Sequence, residues 1–178
     1  MAIALVGLPG SGKSAVGKRL AQRLQCDFID SDHLIEERIG CSIRDYFERE
    51  GEERFRDLEQ DVLASLAQSP RGVLSTGGGS VLRPANRQVL SAHFNVIYLR
   101  SSPEDLYRRL RHDVKRPLLQ VADPLGRLRE LHRLRDPLYR EVAHRVVETG
   151  RPSVSALVSQ IAQDFEEPAP PPQGDPAN

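Results

Sequence analysis

Short apolar runs recur along the chain, and stretches with helical periodicity separate them. AIALV (2–6) has no polar alternation and stops at Gly7, so it reads as a strand buried on both faces. Lys13 to Gln25 follows as a helix, with Val16, Leu20 and Leu24 forming one stripe and Gly17 leaving room for close packing on the sheet. DFI (27–29) predicts a short second strand, with a helix from about Asp32. Ser42 starts another helical stretch that breaks near Gly51 and resumes with Phe55, Leu58, Val62 and Leu66 on one face. GVLST (72–76) predicts a third strand running into Gly77-Gly78-Gly79, then a short helix near 84–92 and a fourth strand, NVIYLR (95–100). Pro103 suits the first turn of a helix reaching about Arg111. Residues 112–124 lack periodicity, hold two prolines and predict a loop. A Leu-rich helix from 125, kinked by Pro137, a fifth strand HRVVET (144–149) and a helix over 153–166 complete the pattern.

Strand alternating with helix implies a single α/β domain over 1–166, with a parallel sheet covered on both faces. Its ligands belong beyond the C-terminal ends of the strands. The Pro-rich segment 167–178 has too little apolar content to fold and is expected to be a disordered tail. Charge is balanced, 25 basic against 25 acidic residues among 178, which argues against a nucleic-acid or membrane-surface partner. The balance hides a local asymmetry. Asp27 to Asp61 holds 13 acidic residues and 5 Arg, whereas Arg100 to Arg151 holds 12 Arg and one Lys against 8 acidic residues. The basic half suits an anionic ligand, although mutual cancellation on the surface explains it equally well. Cys26 and Cys41 make no metal-ligand spacing, and no apolar run reaches membrane-spanning length. A reducing, cytoplasmic setting is the default expectation.

The chemistry starts at GLPGSGKS, residues 7–14, which fits G-x-x-x-x-G-K-[ST] between a strand and an amphipathic helix. Such a loop wraps phosphates in backbone N–H groups and aims the helix's positive end at them. Gly10, Ser11, Gly12, Lys13, Ser14 and Ala15 are the candidate nucleotide-binding residues, with Lys13 on the β- and γ-phosphates and Ser14 on Mg²⁺. The motif specifies a nucleotide and not a reaction.

Three further features face the same end of the sheet. Asp30 and Asp32 close the second strand, where one carboxylate can hold a cation and the other an acceptor hydroxyl; capping of the next helix is the alternative, and spacing does not decide. Arg56 could clamp an anion, but Glu52 four residues earlier makes an ion pair the simpler reading of the spacing alone. Three consecutive glycines after a strand suit a backbone that a ligand must approach closely.

Together with DSDHLIEERIG, SIRDYFEREGEERFRDLE, STGGGSV, RPLL and RDPLYREVA, the loop makes the chain resemble the shikimate kinase family from about Ile3 to Pro152. The resemblance implies a three-layer P-loop kinase fold with a five-stranded parallel sheet, a substrate-binding helical region at about 31–61 and a lid at about 112–124. It also implies transfer of the ATP γ-phosphoryl group to the 3-hydroxyl of shikimate, on the path to chorismate and aromatic amino acids, by a monomer that uses Mg²⁺. Carried over by residue, Asp32 would bind the acceptor hydroxyl and Asp30 would support Mg²⁺. Arg56 and Arg135, with the backbone of Gly78 and Gly79, would hold the acceptor carboxylate. Arg116 would be the lid arginine that approaches the transferring group, and Arg109 and Arg151 would lie near the adenine. Asp32, taken as an exposed type of carboxylate, would then be a weak base that mainly orients the hydroxyl. A kinase for another small hydroxy acid such as gluconate, or a non-catalytic ATP-binding regulator, would share the loop without needing the two-arginine pair. Ala15 departs from the hydroxyl residue frequent in the family, and the Pro-rich tail has no counterpart there.

Overall fold

The structure is a computed structural model and describes residues 1–111 and 121–166. Its elements run β1 (Ala2–Val6), α1 (Lys13–Arg23), β2 (Phe28–Asp30), α2 (Ser31–Ile39), α3 (Ile43–Glu50), α4 (Glu52–Gln68), β3 (Gly72–Ser75), α5 (Pro84–His93), β4 (Asn95–Arg100), α6 (Pro103–Leu110), α7 (Pro124–Val142), β5 (Arg145–Glu148) and α8 (Val154–Ala162). Among the described residues the strands form one parallel sheet in the order β2-β3-β1-β4-β5. Parallel neighbours need crossovers, and the helices that supply them cover both faces.

The apolar opening of the chain becomes the central strand because every residue of β1 is buried. Its side chains alternate between two cores. Ala2, Ala4 and Val6 join Leu63, Leu90, Leu128 and Tyr139 on one face, while Ile3 and Leu5 join Val16, Leu20, Leu157 and Ile161 on the other. Gly17 works as its position suggests: a Cβ there would lie 2.7 Å from the Phe28 ring and 3.3 Å from Leu5. A third, smaller cluster around Ile35, Phe55 and Val62 binds α2, α3 and α4 into the helical region beside the sheet. No helix among the described residues is long and apolar enough to cross a membrane.

The differences from the sequence expectations sit at element ends. β2 is Phe28–Asp30, one residue later than DFI, because its pairing with β3 sets Phe28 against Val73 and Asp30 against Ser75. α7 starts at Pro124 with the Asp123 side chain accepting from the Gly126 N–H, so the C-terminal edge of the aperiodic stretch is a capped helix start. That helix continues through Pro137 to Val142. α8 ends at Ala162, and the rest of the predicted span, up to Glu166, is turn and bend. Most of the expected lid (112–120, including Arg116) and the segment 167–178 lie outside the described residues.

Candidate active site

The phosphate loop owes its shape to two left-handed glycines, Gly10 at φ +85° and Gly12 at φ +95°. Gly12 is the residue preceding α1 and carries no side-chain cap, which leaves the first N–H groups of the helix directed at the cleft. The Lys13 ammonium donates to Gly7 O at 2.7 Å and Leu8 O at 3.0 Å, so it spans the loop. A cleft of about 470 Å³ opens here, lined by Gly10, Gly12, Lys13, Ser14 and Ala15 on one side and by Asp30, Asp32, Thr76, Gly77, Gly78 and Arg109 around the rest. Ser11 is not in this lining. Its N–H closes a turn onto Leu8 O at 3.1 Å, and its buried hydroxyl has no hydrogen-bond partner among the described residues. Arg109 ties the cleft's far rim together, donating to Thr149 O at 2.7 Å and reaching Gly10 O and Ser101 Oγ at 3.4 Å. Arg151 lines a separate cavity with Ser102, Asp105 and Gly150.

The two aspartates divide their work. Asp30 caps α2: one of its oxygens accepts from the N–H groups of Asp32 and His33 at 2.9 and 3.3 Å. Capping therefore falls on Asp30, and the Asp32 carboxyl is left to point across the cleft. Asp32 does not have the exposed character assigned to it from sequence. Burial, reinforced by the charges of Asp30 and Glu59 and opposed by Lys13, pushes its carboxyl up to about 6. That shift makes it a better proton acceptor than an ordinary surface carboxylate. Ser14 and the second oxygen of Asp30 form a hard oxygen donor pair in the same cleft. Among the described residues no cluster of three or more His, Cys, Asp or Glu could hold a metal unaided. The pair therefore suits a Mg²⁺ that also takes phosphate oxygens and water.

Each residue of the triple glycine faces a different polar side chain. A Cβ on Gly77 would lie 2.7 Å from Asp32 Oδ1, one on Gly78 would lie 2.8 Å from Pro9 and 3.3 Å from Arg135 Nη1, and one on Gly79 would run into the Arg56 guanidinium. The turn is thus the surface on which Asp32, Arg56 and Arg135 meet. Arg56 comes from α4 and Arg135 from α7, with β3 and β4 between them in sequence. The ion pair inferred between Arg56 and Glu52 exists only as a long contact of 3.6 Å to a mostly exposed carboxylate. The close partner is Glu59, 2.9 Å from Arg56 Nη1 and 1% exposed. Its other oxygen accepts from Ser80 Oγ at 3.4 Å. Glu59 closes the FRDLE stretch that carries the resemblance but has no role assigned from sequence, and its i,i+3 spacing from Arg56 was the available signal. A buried carboxylate that takes one edge of the guanidinium fixes the orientation of the remainder.

Comparison with known proteins agrees with this geometry. The family model described as Shikimate kinase matches residues 9–166. A shikimate kinase of Paracidovorax citrulli is 57% identical over 169 residues, which cover 93% of this chain and 92% of that one. A shikimate kinase of Ralstonia nicotianae is 53% identical over 161 residues, covering 90% of this chain and 85% of that one. Among solved structures, shikimate kinase from Acinetobacter baumannii in complex with shikimate superposes with a TM-score of 0.86 at 44% identity, covering 92% of this chain and 91% of that chain. The Aquifex aeolicus shikimate kinase gives 0.78 at 31% identity, covering 93% and 96%. A phosphate loop, a largely buried aspartate and two arginines converging on one glycine turn are thus accompanied by near full-length similarity, and the chain belongs to the shikimate kinase family.

Proposed function

We propose that the chain transfers the γ-phosphoryl group of ATP to the 3-hydroxyl of shikimate, giving shikimate 3-phosphate and ADP in the cytoplasm as a monomer. The observation that carries this reading is the meeting of Arg56 and Arg135 at the Gly77–Gly79 turn, with Asp32 against the same turn on the cleft side. The two guanidinium groups and the backbone of Gly78 and Gly79 hold the acceptor's carboxylate, which directs its hydroxyl toward Asp32 and the phosphate loop.

In the transfer, the acceptor oxygen forms a bond to the γ-phosphorus as the bond to the β,γ-bridging oxygen breaks, and Asp32 takes the hydroxyl proton. Lys13 and the loop N–H groups hold the phosphates and offset their charge, and Arg109 lines the nucleotide end of the cleft, with Arg151 in the cavity beyond. Ser14 and Asp30 would hold Mg²⁺, which when bound neutralises phosphate charge. Arg116 is proposed to approach the transferring group from the lid segment.

An ADP-release assay with shikimate, gluconate or no acceptor tests the proposal. Rapid ADP release with shikimate alone is expected; equal rates with gluconate, or with no acceptor, would overturn the substrate assignment. Arg56→Ala should raise the shikimate KM at least tenfold while nucleotide affinity persists.

A further inference from the structure

Tyr139 is the one large side chain of the acid-binding corner that the proposed reaction leaves without a task. It lies one helical turn after Arg135 on α7, on the same face. Its ring is fully buried and packs on Tyr98, with centroids 4.9 Å apart. Its hydroxyl donates to Gly78 O at 2.6 Å. The Arg135 guanidinium lies beside the same glycine, its Nη1 3.3 Å from where a Gly78 Cβ would stand, and its charge acts on the phenol, as do those of Arg56 and Glu59 from the α4 side.

A core tyrosine needs some hydrogen-bond partner, and any nearby carbonyl would serve. The partner here is a carbonyl of the glycine turn itself, and that choice has a geometric consequence. In a trans peptide the C=O of one residue and the N–H of the next point in opposite directions. Holding Gly78 O against Tyr139 therefore turns the Gly79 N–H away from α7. Among the described residues neither the Gly78 nor the Gly79 N–H donates to a protein acceptor. Glycine alone would leave this peptide free to rotate.

We infer that Tyr139 is a positioning residue that sets the Gly78–Gly79 peptide and Arg135 in register with each other, and so determines the preference for an acceptor bearing a carboxylate. The inference rests on the proposed acid site at Arg56 and Arg135. It concerns a hydroxyl that donates to the turn's backbone and is not part of the cleft lining. Its effect is confined to recognition of the acid group.

The test is Tyr139→Phe, which keeps the ring and its contact with Tyr98 and removes only the hydroxyl. Loss of one hydrogen bond of about 0.5–1.5 kcal/mol corresponds to a roughly two- to twelvefold change. The expected result is a rise of that size in the shikimate KM and calorimetric Kd, with kcat and ATP affinity within twofold of wild type. Shikimate methyl ester, which lacks the negative charge, should lose less, so the ratio of kcat/KM for acid over ester falls. Ser91→Ala is the control. It removes a hydrogen bond to Val142 O at the far end of α7, 3.1 Å long, and should leave that ratio unchanged. An unchanged ratio in Tyr139→Phe, or an equal fall in Ser91→Ala, would overturn the inference. Were Arg56→Ala also to leave shikimate binding unchanged, the acid site itself would fall; an effect in Arg56→Ala alone would remove only the role of Tyr139.

Discussion

At the scale of single residues, Asp32 shows how environment decides chemistry. Its carboxyl, raised to about 6 by burial and by Asp30 and Glu59, must be ionised to accept a proton. The kcat/KM should therefore fall as pH drops through about 6, and a pH profile of kcat/KM flat down to pH 4.5 would refute the assignment. Asp32→Asn should lower kcat by about 10²–10⁴-fold. The same variant should be more stable. A carboxyl whose folded pKa lies above its unfolded value loses stability as pH rises through the folded value, so removing its charge helps most above pH 6. Chemical denaturation at pH 8 should show a gain on the order of 1–3 kcal/mol, shrinking as pH falls from 6 toward 4. An aspartate whose removal cost stability at pH 8 would contradict that electrostatic account. The division between Asp30 and Asp32 was not legible in sequence, because both stand at one strand end. The positions of two backbone N–H groups chose Asp30 as the cap. Glu59 was hidden for a different reason: a glutamate on a charged helix reads as solvated surface until the fold buries it.

At the scale of elements, the glycine turn after β3 is the part most intolerant of added volume. Gly79→Ala would press a methyl group into the Arg56 guanidinium, which Glu59 holds from behind. Overpacking of about 1–3 kcal/mol predicts a shikimate KM raised roughly five- to hundredfold with ATP KM unchanged. Steady-state kinetics with each substrate varied in turn checks this, and a matching rise in both constants would place the damage elsewhere. The elements themselves were largely readable. β1 and β4 were legible as uninterrupted apolar runs, and the stripe of Phe55, Leu58, Val62 and Leu66 marked α4. The boundaries that slipped were short or proline-marked. A three-residue strand such as β2 is fixed by pairing rather than by its own pattern, and Pro124 looked like loop although proline suits a first helical turn.

At the scale of the whole molecule, the acid corner is where α4, the glycine turn and α7 meet above the core they share through Leu63, Val81 and Tyr139. α4 reaches from the helical region around Phe55 into the main core through Leu63, the glycine turn leaves the sheet, and α7 packs on the sheet face through Leu128 and Tyr139. A ligand bridging the three should stabilise the folded chain as a unit. At a shikimate concentration of one hundred times Kd, linkage gives about 2.7 kcal/mol. For a chain of this size that is roughly 5–10 °C in Tm. A thermal melt at that concentration should show this rise for the wild type and at most about half of it for Arg56→Ala, whose affinity is at least about tenfold weaker. A shift of equal size in both would mean that shikimate binds elsewhere. The meeting of α4, α7 and the turn was beyond any periodicity, since it depends on strand order; only the resemblance of several separated motifs pointed to it.

The scattering of that corner along the chain bears on biosynthesis. The phosphate loop is encoded within the first 14 residues, while the last contributor to the acid corner is Tyr139. Domains on the ribosome acquire structure as their segments emerge, and contacts distant in sequence close last. A nascent chain halted before α7 would thus carry a complete phosphate-loop sequence with an acid site lacking Arg135 and Tyr139. The acid site is therefore completed only after α7 has been made.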